Sequence, residues 1–87
     1  AWCADYLASL AALEGRPEAA AQLVGAADRR YDDTEDTRQT NEAAARARAW
    51  AMAESALGAD EARQLHAIGR GLDDDGVAAL AFGRPAP

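Results

Sequence analysis

The residues best equipped for chemistry lie in the last third of the chain. Asp73-Asp74-Asp75-Gly76 has the acidic density of a calcium loop. In the required register the first ligand position falls on Gly71 and the twelfth on Phe82. Neither offers a side-chain oxygen, so the loop fails. Acidic residues at a helix start need no other reason than the positive end of the helix dipole. His66 is the only histidine and Cys3 the only cysteine. Zinc therefore lacks ligands. As a general base His66 has no Ser or Cys nucleophile beside it in sequence, so packing or surface exposure is the plainer role. Gly69-Arg70-Gly71 could hold an anion, but no strand precedes it as a phosphate loop requires. The run Asp32, Asp33, Glu35 and Asp36 could attract a cation or a basic partner; a solvated connection explains it as well. Trp2 and Trp50 could be a ligand platform or a binding hot spot, or simply anchors for helices built of alanine. No acid, base and nucleophile come together by sequence. The expectation is a non-enzyme without catalytic residues, cofactor or metal.

The elements that would position these residues are helices. The organising stretch is Leu7 to Ala27, LASLAALEGRPEAAAQLVGAA. Tyr6, Leu7, Leu10 and Leu13 recur at helical spacing and predict one apolar face on a helix over 2–14. Gly15 stands where a helix-ending glycine takes positive φ. Pro17 suits the first turn of the next helix, 17–31, and Glu18 complements its start. On that helix Ala20, Leu23, Val24 and Ala27 predict the matching face, and Ala19, Ala20 and Ala21 let two backbones approach closely. A short turn and a small-residue face predict an antiparallel pair.

Residues 31–37 read as a polar connection, with Asp36 as an N-cap reciprocated by Gln39. A long helix follows over 38–57, supported by an i,i+4 pair of Glu42 and Arg46. Its two apolar stripes predict contact from more than one side: Ala43, Ala47, Trp50, Ala51 and Leu57 in one, Ala45, Ala49, Met52 and Ala56 in the other. Gly58 closes it. Asp60 and Glu61 open a fourth helix that runs to Ile68 and is broken by Gly69-Arg70-Gly71. Asp73 caps a last helix over 74–82, and 84–87 read as a frayed tail. The expected architecture is all-α: about five helices in antiparallel hairpins, forming a single module over 1–87.

Composition narrows the function. Leu, Ile, Val and Phe make up less than ~20% of the residues, and much of the apolar 49% is alanine. Alanine favours helix but buries little area, so the core is thin and the module is expected to lean on a neighbour. The net charge of −6 argues against non-specific nucleic-acid binding. Arg29, Arg30, Arg46 and Arg48 are interleaved with acids and form no basic stripe. A single cysteine fits a reducing cytoplasm. No apolar run approaches the ~20 residues of a membrane span. The start at Ala1-Trp2-Cys3, within a helical pattern and without methionine, is what a piece of a longer chain would show.

Gly15, with Ala20 five residues on and Ala27 beyond, resembles the turn and second helix of a tetratricopeptide-type repeat. The usual aromatic of the repeat's first helix is absent, since Ala11 and Ala12 stand there. More specifically, three blocks resemble the C-terminal end of large bacterial regulators of the LuxR, AfsR and MalT-like type: LASLAALEGRPEAAAQLVGAADRRY, ALG at 56–58, and GRGLDDDGVAALAF at 69–82. His66 and Ile68 depart from that pattern, and Asp73 replaces its Ser or Thr cap. The resemblance implies an interaction or scaffold module, cytoplasmic, with no active-site residue carried over. Implied partners are preceding helical repeats of the same chain or a second copy, with no nucleic-acid contact by this segment and no membrane. Candidate contact residues are Trp2, Trp50, Met52, Leu80 and Phe82. The alternative is a small-molecule sensor domain with Trp2, Trp50, Met52 and His66 lining a pocket.

Overall fold

The computed structural model describes residues 4–34 and 40–82. Among them are five helices and no strand: α1 (Ala4–Leu13), α2 (Pro17–Thr34), α3 (Thr40–Leu57), α4 (Ala59–Arg70) and α5 (Asp74–Phe82). The protein is all-α, as expected. Asp36, Gln39, Trp2, Cys3 and the 84–87 tail lie outside the described residues.

The first hairpin closes as the sequence predicts. Gly15 adopts φ +75°. Its N–H donates to Ala12 O at 3.1 Å, and the Arg16 N–H to Ala11 O at 2.9 Å. That pair of bonds satisfies carbonyls that the helix end would otherwise leave open, and only a glycine takes the left-handed turn without strain. α3 and α4 meet at a tighter joint, the single residue Gly58, at φ +89°.

Two boundaries and two faces differ from expectation. α2 continues through Asp32 and Asp33 to Thr34, because no breaker follows Arg30 and an Arg29–Asp33 pair at 3.4 Å spans the added turn. α4 runs through Gly69 and Arg70 and ends only before Gly71. Gly69 is buried inside the helix, so its small size serves packing, not termination.

On α1 the expected core face is inverted. Ala8, Ala11 and Ala12 are buried, whereas Tyr6 and Leu10 are each 47% exposed and Leu13 75%. Leu7 alone of the four packs partly against the core. On α3 only Ala45, Ala49 and Ala53 are buried, a single narrow stripe. Ala43, Ala47, Ala51, Met52 and Ala56, drawn from both expected stripes, are exposed. α3 touches α1, α2 and α4, and outside that stripe Trp50 and Leu57 pack partly against the core, Trp50 meeting His66 of α4.

The physical reason is close backbone approach. Among the described residues, thirteen of the sixteen buried hydrophobic ones are alanines; Leu23, Val24 and Val77 are the exceptions. Where α2 crosses α4, glycines replace even the alanines. A Cβ built on Gly25 would lie 2.0 Å from the His66 carbonyl oxygen, and one on Gly69 would lie 1.8 Å from that of Gln22. Helices this close leave little interior volume beyond that taken by Leu23, Val24 and Val77, and on α1 the bulky Tyr6, Leu10 and Leu13 lie on the outside. The resulting radius of gyration is 11.6 Å, against about 12 Å for a typical domain of this length.

Candidate functional site

Two features stand out, one apolar and one polar. The apolar one is the outer face of α1. Tyr6, Leu10 and Leu13 are spaced i, i+4, i+7, so they form one stripe along the helix. No charged residue occurs between Tyr6 and Leu13. Helix spacing alone finds the stripe, but not its direction. What sets the direction is the alanine row at 8, 11 and 12, which permits the closer approach to α2 and α3.

The polar feature ties three helices at one carboxylate. Asp28 of α2 is gripped by Arg46 of α3 through two parallel bonds, Nε to Oδ1 and Nη2 to Oδ2, each 2.8 Å. His66 of α4 shares Oδ2 at 2.7 Å through Nε2. The Asp28 side chain is 14% exposed, so these bonds form largely out of water. Trp50 meets the imidazole edge-on, with ring centroids 5.5 Å apart. Charge-assisted, bidentate geometry of this kind is strong and directional. It occupies the carboxylate from both sides and holds α2, α3 and α4 in register. From sequence, Asp28 reads with Arg29 and Arg30 as the solvated end of the second helix and Arg46 pairs locally with Glu42; the structure instead buries most of the Asp28 carboxylate between Arg46 and His66. The signal available was a lone acid following the α2 core face, one turn beyond Val24.

Around this clasp lie further ties. Arg29 Nη1 donates to the Arg70 carbonyl at 2.9 Å at the end of α4, and Arg70 pairs with Asp32 at 2.9 Å. Asp73 caps α5 as predicted, its Oδ1 accepting the Gly76 N–H at 2.7 Å. Asp5, at the start of α1, is fully buried and engaged with a partner. Among the described residues no buried polar side-chain atom is left without a partner.

The expected contact residues fall in different places. Met52 is 45% exposed on the outer side of α3. Trp50 and Leu80 are partly buried against the core. Trp2 and the Phe82 side chain lie outside what is described. Of the four residues proposed to line a pocket, the structure brings together Trp50 and His66. A groove lies elsewhere. It has a volume of about 630 Å³, is open to solvent, and runs between the end of α2 and the α4–α5 connection. Arg29, Arg30, Asp33, Leu72, Asp73 and Asp75 line it, with charges of both signs. Among the described residues no three His, Cys, Asp or Glu side chains gather as a metal site, and no helix is long and apolar enough to cross a membrane.

No family model, no curated protein and no solved structure matches this chain.

Proposed function

We propose that this chain is a protein–protein interaction module that docks a neighbouring helical hairpin on the outer face of α1. One observation carries the reading. The core is built of alanine, while Tyr6, Leu10 and Leu13 stand outside in a single uncharged stripe. Leaving two leucines and a tyrosine in water forgoes about 1 kcal/mol or more for each, which a partner helix would recover. Spacing of i, i+4, i+7 is that of a helix-packing seam. The resemblance to tetratricopeptide-type repeats and to the C-terminal end of LuxR-, AfsR- and MalT-like regulators supplies the setting: a cytoplasmic scaffold or sensor region of a bacterial transcriptional regulator. In that setting the neighbour is a preceding repeat or a second copy.

The test is light scattering across a concentration range, on the 87-residue chain and on a Leu10→Glu/Leu13→Glu variant. The wild-type chain should gain mass with concentration and bind a hydrophobic dye. The variant should stay monomeric at unchanged helicity. A wild-type chain that remains monomeric to millimolar concentration and binds no dye would refute the reading.

A further inference from the structure

We infer that α5 is a latch, a helix that detaches and re-docks on its own while α1 to α4 remain folded, and that Arg16 is its catch. Three observations lead there. First, α5 is the least anchored helix: its main packing is on α2 and α1 only, through Val77 and Ala81 in the core and Leu80 at its edge. α2, by contrast, packs on all four other helices. Second, α5 has nine residues, fewer than the ~12–15 a helix needs to persist alone in water, so undocking melts it. Third, its C-terminal end is held by a side chain 64–65 positions away in sequence. Arg16, in the α1–α2 turn, donates from Nη1 to the Ala81 carbonyl at 3.1 Å and from Nη2 to the Leu80 carbonyl. A guanidinium there satisfies two open carbonyls and complements the negative helix end. Glu14, 3.3 Å from Nη1, keeps the guanidinium oriented.

The connection from α4 is short and holds by local bonds. Leu72 N–H donates to Gly69 O at 3.1 Å, and Asp73 caps the first turn of α5. Neither bond is made to the α1–α2 surface that α5 covers. Release therefore breaks the Arg16 bonds and exposes Val77 and Ala81, without disturbing the Asp28 clasp or the α2–α4 crossing. The opened form offers the apolar floor under α5, and Arg16 decides how often it appears.

Amide hydrogen exchange on the intact chain tests this under conditions where exchange reports opening equilibria. Amides of Val77 to Ala81 should exchange at least about a hundredfold faster than those of Leu23 to Ala27. Arg16→Ala should accelerate the α5 amides by about a further tenfold while changing α2 and α4 by less than about twofold. Arg16→Lys should fall between, because an ammonium keeps the charge but lacks the fork. Equal protection of α5 and α2 in the wild-type chain would overturn the proposal. So would an Arg16→Ala variant that leaves α5 unchanged or raises exchange everywhere alike.

Discussion

Substituting alanine for Gly25 or Gly69 sets two physical effects against each other with opposite signs. Both glycines sit inside helices, where alanine is intrinsically better by about 1 kcal/mol. If propensity governed, each substitution would stabilise the chain. The crossing geometry says otherwise. The new Cβ would start 2.0 Å from the His66 oxygen at Gly25 and 1.8 Å from the Gln22 oxygen at Gly69, against 3.4 Å for ordinary contact. The obstacle is backbone on both sides, so no rotamer relieves it. α2 and α4 must part by about 1.5 Å.

Parting by that amount stretches the 2.7 Å bond between Asp28 and His66, and the 2.9 Å bond from Arg29 to the Arg70 carbonyl, beyond bonding distance. Overpacking of this type costs about 1–3 kcal/mol, and a lost charged hydrogen bond about 1.5–3. Counting the largely buried Asp28–His66 bond and little for the exposed Arg29 bond, less the helical gain of about 1 kcal/mol, the net loss is about 1.5–5 kcal/mol for either variant. A chain of this size holds only about 4–13 kcal/mol in total. Thermal unfolding followed by circular dichroism should show a fall in Tm of roughly 10 °C or more. The double variant should cost less than the sum, since once the helices have parted the second Cβ has room. Gly71→Ala is the control: its nearest obstacle is 3.5 Å away and its φ is −92°, so it should be neutral. A Gly25→Ala chain that melts at or above the wild-type temperature would refute the close-crossing account of the core.

Removing the carboxylate at the clasp, Asp28→Ala, takes away the acceptor that Arg46 and His66 share across three helices; urea unfolding should register a loss of about 2–3 kcal/mol. Asp73→Ala removes the α5 cap, worth about 1 kcal/mol, so with α5 opening on its own the amides of Val77 to Ala81 should exchange about fivefold faster while urea unfolding of α1 to α4 shifts by less than about 0.5 kcal/mol. Leu13→Ser touches a side chain 75% exposed, so the unfolding free energy should stay within about 0.5 kcal/mol of wild type while concentration-dependent association weakens. Gly15→Ala places a Cβ in the left-handed turn and should cost about 1 kcal/mol by thermal unfolding.

What was legible in the sequence was mainly its punctuation. Gly15 and Pro17 marked the first turn, Gly58 the second joint, Asp73 the last cap, and each reflects a local backbone requirement that one residue type meets. The α2 face of Ala20, Leu23, Val24 and Ala27 was legible too, since the largest side chains there do point inward. The α1 face was not. Hydrophobic periodicity assumes that larger means deeper, and here Ala8, Ala11 and Ala12 took the interior because neighbouring backbones lie too close for leucine. Gly69 was misread for the same reason: a glycine near a helix end signals termination unless a crossing partner is known. The Asp28 clasp joins residues 18 and 38 positions apart, and nothing local in the sequence encodes that distance.

These misreadings share one cause, and it bears on function. A core of alanine and glycine buys close packing of the backbone, yet each buried residue removes little area from water. The larger side chains that would ordinarily supply that area are excluded from the interior by the same closeness. They must then lie on the outside, where in α1 they line up without an intervening charge. A fold of this kind leaves part of its apolar area unburied as a consequence of how it packs. Its directional polar ties, at Asp28 and at Arg16, fix helix positions that a thin apolar core specifies only loosely. Stacking a neighbour on α1 would bury the displaced side chains and add stability to a chain whose own interior supplies little.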